Sequence, residues 1–320
     1  MIAERRYDAL VAGEINVDLI LTGERLRPVF GQEQLVADAT LTMGSSSVIF
    51  ACQAARLGLR VAFVGKVGQD TFGEFMLRGM QERGIHTSFV QPVTGMKTGI
   101  TVVLSEPRDR AMFTHSGCIA ELAAADISDE MLACTRHLHV SSAFLQTRLR
   151  PNLAELFQRA HALGCSVSMD TGWDPAEKWD SDVQEALAHV DVFMPNEEEA
   201  PNIAGCPTPA QALERLAGIV PVVAVKLGAK GAIAAAGRER ASCEAYPASV
   251  VDTTGAGDSF DAGFIYGYLH QWPLQRSLQL GCACGALSTE AAGGTTAQPS
   301  LDKALALVTA RVAADEDNHP

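Results

Sequence analysis

Short apolar runs alternate with amphipathic stretches along most of the chain. The runs at 8–12, 60–64, 137–141, 166–170, 191–194, 222–226 and 232–236 are four or five residues long and dominated by small or branched apolar side chains. Continuous runs of that length suit strands covered on both faces, as in parallel sheets. Between them, 48–57, 73–82, 150–163, 181–188, 209–217, 257–269 and 273–290 carry helical spacing. Strand and helix alternate from 60 to 290 with no Pro- or Ser-rich linker. The pattern predicts one α/β domain over 1–320, with a mainly parallel central sheet flanked by helices on both faces. Two stretches, about 14–42 and 95–117, break the alternation with segments such as VDLILTG, TGITVVLSE and RAMFTHSG. They are expected to pair as a small antiparallel sheet serving as a lid. The closing ADEDNHP reads as a solvated tail.

Composition narrows this picture. A chain of 320 residues buries roughly three quarters of its unfolded surface, so disulfide or metal staples are not required. The net charge of −13 argues against a nucleic-acid partner held by a general basic surface, while leaving room for a local pocket that takes an anion. Charges occupy the N-terminus where a leader needs its apolar core, and no 18-residue apolar stretch occurs. No membrane partner and a cytoplasmic location are therefore expected. Eight cysteines, none in a C-x-x-C pair, sit mostly in apolar surroundings. They are expected to be buried thiols, with Cys282 and Cys284 in a close-packed helix. His137 and His139 flank a predicted strand and read as core or surface residues rather than metal ligands.

The chemistry concentrates in Val250-Val251-Asp252-Thr253-Thr254-Gly255-Ala256-Gly257-Asp258-Ser259-Phe260. A Gly-Ala-Gly turn opens a predicted helix. Glycine allows close backbone approach, and a helix start presents unpaired N–H groups and the positive end of the dipole. Gly255, Ala256 and Gly257 are thus candidates for an anion hole that cradles a phosphate. An aspartate at that turn would repel a phosphate unless it accepts a proton from an attacking hydroxyl, and Asp258 is the candidate base. Other phosphate and nucleotide signatures are absent. There is no G-x-x-x-x-G-K-[ST], no H-R-D and D-F-G set, and no complete dinucleotide fingerprint.

The full DTTGAGDSF string resembles the C-terminal signature of the ribokinase-like (PfkB) carbohydrate kinases, and the likeness extends over nearly the whole chain. It implies a ribokinase-like fold, ATP and Mg²⁺ as cofactors, and transfer of a phosphoryl group to a hydroxyl of a small sugar-like substrate. Asp258 matches the family's catalytic base. Asn196 and Glu199 in PNEEEA match its N-x-x-E element, with Glu199 organising Mg²⁺ through water. Lys226, Gly228 and Gly231 in VKLGAKGA match the turn beneath the nucleotide, which with Asn196 and Gly257 gives the ATP-binding set. Asp18 and Asn16 in GEINVD match the strand end that holds the sugar. Asp252 and Thr254 match the places of a K⁺ site found in some members, and lid strands that pair between subunits imply a homodimer.

One signature departs. Gly44-Ser45-Ser46-Ser47-Val48-Ile49 aligns with a segment that usually opens with two glycines and carries an asparagine five positions after the first. Ser45 replaces the second glycine and Ile49 the asparagine. Gly44 and Ser45 remain substrate-side candidates, but an apolar Ile49 cannot donate to a sugar hydroxyl, so substrate choice diverges here. The segment MDTGWDPAEKW resembles fructokinase- and ketodeoxygluconate-kinase-like members and favours a sugar or sugar acid. A nucleoside kinase of the same family and a catalytically silent small-molecule-binding protein are the alternatives.

Overall fold

The apolar runs come together as a nine-stranded sheet in the computed structural model, which describes residues 5–106, 110–179 and 181–317. In chain order its strands are β1 (Ala9–Ala12), β4 (Val61–Gly68), β5 (His86–Val93), β8 (His137–Val140), β9 (Ser166–Met169), β10 (Val192–Phe193), β11 (Val222–Lys226), β12 (Ala232–Ala236) and β13 (Glu239–Cys243). They lie in the order β13-β12-β11-β10-β9-β8-β1-β4-β5. All neighbours from β5 to β11 are parallel, and β12 and β13 close one edge as an antiparallel meander. One face is covered by α1 (Ser46–Arg56), α2 (Thr71–Glu82), α8 (Ala256–Leu269), α9 (Leu274–Ser288) and α10 (Leu301–Asp317). The other carries α3 (Asp129–Ala133), α4 (Leu153–Ala162), α5 (Ser181–Leu187), α6 (Glu199–Ala204) and α7 (Pro209–Leu216). Alternate residues feed the two layers: Val11 points into the first core, and Leu10 and Ala12 into the second.

The seven strands and seven helices read from periodicity all form, within a few residues at their ends. The elements that periodicity did not mark are edge strands β5 and β13, short helices α3 and α6, and α10. The edge strands present polar side chains to solvent and so lack an apolar run. The tail expected to be solvated is helical as far as Asp317, which extends α10; its last three residues and 107–109 of the expected lid lie outside the described residues.

The second sheet among the described residues has four strands: β2 (Asn16–Thr22), β3 (Asp38–Met43), β6 (Gly99–Ser105) and β7 (Arg110–His115). Their order is β3-β2-β6-β7. Its strands fall where the alternation breaks, but the sheet is mixed rather than antiparallel. Each hairpin is antiparallel within itself, and the leading strands β2 and β6 lie side by side in parallel, with Asp18 opposite Thr101. No helix among the described residues is long and apolar enough to cross a membrane. All eight cysteines are free thiols and all but Cys206 are buried.

The centre of the main sheet is not wholly apolar. His137 and His139 on β8 are fully buried and interleave with serines of β9 and the following turn. His137 bonds Ser166 Oγ through Nδ1 at 2.8 Å and Ser168 Oγ through Nε2 at 2.7 Å. His139 bonds the same Ser168 Oγ and Ser141 Oγ, each at 2.7 Å. Phe50 of α1 stacks on His139 with ring centroids 3.6 Å apart. Every ring nitrogen has a partner, which is what burial of a polar ring requires. Burial drives the His137 pKa down to about 3, helped by Arg136, and holds His139 well below the usual value. Below about pH 6.5 the unfolded chain therefore gains protons that the folded form refuses. Each histidine should weaken folding by up to about 1.4 kcal/mol per pH unit. Buried carboxyl groups with raised pKa values titrate with the opposite sign in an overlapping window, so the informative readout is a difference. Urea unfolding between pH 7 and 5 should show a shallower histidine contribution in His137→Gln than in the native chain; identical slopes would refute it.

Candidate active site

The parallel strands all end on one side of the sheet, where loops and helix starts gather. The turn before α8 is built there. Thr254 donates to Asp252 Oδ1 from its N–H at 2.9 Å and its hydroxyl at 2.7 Å, and the Gly293 N–H donates to Asp252 Oδ2 at 2.9 Å. Asp252 thereby ties the 252–254 turn to the loop after α9. Gly255 caps α8 with φ of 75°. A side chain there would be strained, and its Cβ would stand 2.8 Å from Gly294 Cα and 2.9 Å from Ile49 Cγ2. Ile49 is thus buried behind the turn. The start of α8 has no side-chain cap, so the first-turn amides of Gly257 and Asp258 have no partner within the helix. Ala256 N–H reaches Thr253 O at 3.3 Å.

Asp258 is the third residue of α8 and is 9% exposed. Burial raises its pKa to about 7, with further upward pushes from Asp170 and Glu14; Lys226 and a hydrogen bond from Ser46 pull the other way. A carboxylate of that basicity is suited to accept a hydroxyl proton near neutral pH. One turn further, Asp261 is fully enclosed.

Lys226, at the end of β11, was expected beneath the nucleotide. Its ammonium is turned inward, 2.7 Å from Asp170 Oδ2 and 3.0 and 3.1 Å from the two oxygens of Asp261. Burial would discharge it, but Asp170 and Asp261 more than offset that and raise its pKa. At Asp170 burial pushes upward, but the Lys226 ammonium together with the hydrogen bonds that carboxylate accepts holds its pKa low, while burial keeps Asp261 well above the usual carboxylate range. Asp170 sits just past β9 and Asp261 at i+3 from Asp258. Neither was singled out from the sequence, although a carboxylate at a predicted strand end and a second one on the Asp258 helix face were both visible.

The Asn196–Glu199 pair lies beside Lys226. Asn196 forms a bridge to Lys226 in the parallel sense, and Lys226 N–H donates to Pro195 O at 3.0 Å. Glu199 accepts the Asn196 backbone N–H at 2.9 Å and its side-chain amide at 2.7 Å. Asn196 Oδ1 in turn accepts the backbone N–H groups of Glu198 and Glu199 at 2.9 Å. Burial, reinforced by Asp170, lifts Glu199 to about 8. This is a hard-oxygen donor set with more negative charge than its surroundings balance, which is the chemistry a Mg²⁺ ion fits. Gly228 and Gly231 bound a one-turn 3₁₀ segment with φ of 56° and 93°.

At the residues expected on the substrate side, Asn16 and Asp18 lead β2, with Asn16 Nδ2 donating to Asp18 Oδ1 at 3.0 Å. Gly44 faces them so closely that a Cβ would lie 2.2 Å from Asp18 Oδ1. Ser45 holds φ of 73°, and its hydroxyl is spent as the α1 cap. It donates to Glu14 O at 2.6 Å and accepts Val48 N–H at 3.1 Å. Glu14, buried at the end of β1 and pushed upward in pKa by that burial, accepts from Ser47 Oγ at 2.5 Å and Ser47 N–H at 3.2 Å. The start of α1 therefore spans the gap from Asp18 (through Gly44) to Asp258 (through Ser46). Glu14 and Ser46 are participants that sequence reading missed; only their neighbours carried a signal. A cavity of about 750 Å³ among Arg5, Arg136, Ser166, Tyr268 and Trp272 lies at the opposite pole of the sheet, and none of the site residues lines it.

Comparisons with known proteins place the chain among relatives of one family. A family model described as pfkB family carbohydrate kinase matches residues 7–301. The chain is 27% identical over 306 residues to an ATP-dependent 6-phosphofructokinase of Thermoanaerobacterium thermosaccharolyticum, covering 93% of each chain. It is 28% identical over 319 residues to a 5-dehydro-2-deoxygluconokinase of Geobacillus thermodenitrificans, covering 94% of this chain and 92% of that one. Arabidopsis thaliana ribokinase, solved with ribose and ATP, superposes with a TM-score of 0.81 at 24% identity over 94% of this chain and 98% of that one.

The Glu14–Ser47 contact is testable without any assumption about activity. Glu14→Ala leaves the Ser47 N–H and hydroxyl buried without their acceptor and should cost about 1–3 kcal/mol in denaturant unfolding. An unchanged midpoint would show that the contact contributes nothing.

Proposed function

The chain belongs to the pfkB family of carbohydrate kinases, and on that premise we propose that it transfers the γ-phosphoryl group of ATP to a hydroxyl of a small sugar or sugar acid. The observation that carries the reading is the buried Asp258 carboxylate at the uncapped start of α8, beside amides that suit a phosphate. The substrate hydroxyl gives its proton to Asp258 as its oxygen attacks in line. The Gly255–Gly257 turn and the dipole of the 14-residue α8 offset charge on the transferring group. Asn196, Gly228 and Gly231 line the nucleotide side. Asn16, Asp18 and Gly44 hold the sugar, with Asp18 accepting from its hydroxyls. Ser45 supports this edge through its cap. Glu199 would hold Mg²⁺ through water, and that ion supplies charge neutralisation at the phosphates. Asp252 and Thr254 are the proposed K⁺ neighbours. The β2-β3-β6-β7 sheet acts as the lid that excludes water.

A coupled ADP-release screen over sugars, sugar acids and nucleosides, with Mg²⁺ and with or without K⁺, tests the substrate class; ADP formed only with nucleosides would replace it. Asp258→Asn should bind ATP normally yet lose ~10²–10⁴-fold in turnover, whereas retention of more than about half the native rate would rule out the base. Because the base must be ionised and its pKa is raised to about 7, kcat/KM should climb with pH through that region, rather than near pH 4 as for an ordinary aspartate. A profile flat from pH 5 to 8 would contradict it.

A further inference from the structure

One carboxylate oxygen from each of Asp170, Asp258 and Asp261 lies within 4.8 Å of the others. Three carboxylates that close in a buried space cannot all stay ionised without a cation. The cation in contact with two of them is the ammonium of Lys226, 2.7 Å from Asp170 and 3.0 Å from Asp261. Its stem lies under the anion-hole turn: a Cβ on Gly257 would meet Lys226 Nζ at 3.5 Å, Cδ at 3.7 Å and Cε at 3.8 Å. The lysine therefore packs against Gly257 of the turn while its charge is fixed by side chains from the end of β9 and from α8. Asp170 and Asp261 share the same ammonium, which pins the first turns of α8 to the ends of β9 and β11.

We propose that Lys226 is a positioning residue, a built-in counter-cation that keeps the Asp258 carboxylate ionised and seats the Gly255–Asp258 turn from behind, in place of contacting the nucleotide. This rests on Asp258 being the base. The groups that face Asp258 are Asp170 beyond β9, Lys226 on β11, Glu14 beyond β1, Glu199 on α6, Asp261 on its own helix and the Ser46 hydroxyl on α1. Lys226 is the one cation among them, so its removal has a definite sign. The Asp258 proton is held more tightly, and the base is switched off to higher pH.

The test reads Asp258 directly and through catalysis. The carboxyl titration of Asp258 is followed by ¹³C NMR on aspartate-labelled protein, with the resonance assigned by its loss in Asp258→Asn, beside kcat/KM against pH. In Lys226→Met the Asp258 midpoint should rise by about one pH unit or more, with the acid limb of kcat/KM moving by the same amount, so that the loss of about fivefold or more at pH 7 is largely recovered above the new midpoint. In Asp170→Asn, which keeps the ammonium and removes an anion, the midpoint should fall. A purely structural role predicts a loss of kcat independent of pH with the midpoint unmoved, and that result in either folded variant overturns the proposal. If Lys226→Met does not fold, Asp170→Asn decides alone, and a midpoint that stays or rises counts against it. The NMR midpoints retain their meaning even if no sugar is turned over, so failure of the kinase reading and failure of this inference are separable.

Discussion

Charge placed in a region with little water sets the terms for the rest of this molecule. At the C-terminal ends of the central strands, Asp170, Asp258, Asp261, Glu199 and Glu14 are all largely withdrawn from solvent, and one lysine ammonium stands among them. An isolated buried carboxylate is expensive enough to take up a proton or reject the fold. The arrangement holds because each group has a distinct answer. Asp170 and Asp261 are both ion-paired with Lys226, and Glu199 is clasped by Asn196. Glu14 is met by two donors of Ser47. Asp258 is met by a Ser46 hydroxyl and the shared field of Lys226 and Asp170, and is left with a basicity near neutrality. A group poised in this way is an effective proton acceptor where a fully paired one is not.

The surrounding architecture positions that cluster through close approaches rather than through flexible reach. A parallel sheet delivers the ends of β1, β9, β10 and β11 to one rim, and α1 and α8 begin on the same rim. Gly255 lets the α8 turn press against Gly294 and Ile49, and Gly44 lets the α1 entry press against Asp18. Ser45 occupies a backbone conformation that favours glycine and is held there by its two hydrogen bonds. Beneath them, the His137–Ser168–His139 ladder supplies polar contacts in the middle of the sheet, and Phe50 of α1 closes over it. Ile49, which stands where the resemblance expects an asparagine, packs against the turn at Gly255 and Gly294.

Much of this was legible in the residue order. Runs such as VVAVK and AIAAA are buried on both sides in any α/β sheet and mark strands without further information. The GAGD turn needs glycine for φ and close approach, so it announces a helix start suited to an anion, with Asp258 inside it. Local chemistry of that kind survives in a linear reading because it depends on neighbours within a few positions. Edge strands β5 and β13 do not, because their polar faces break the apolar run, and neither does the parallel pairing of β2 with β6, whose partners lie far apart in the chain. The inward turn of Lys226 belongs to the same class. From the sequence it is a lysine before a Gly-rich turn; only the meeting of β9, β11 and α8 supplies Asp170 and Asp261. Local patterns determined which elements form and which turn holds Asp258, whereas the ion pairing of Lys226 with Asp170 and Asp261 was decided by residues 35 or more positions apart, because Coulomb energies in a buried site depend on distance in space.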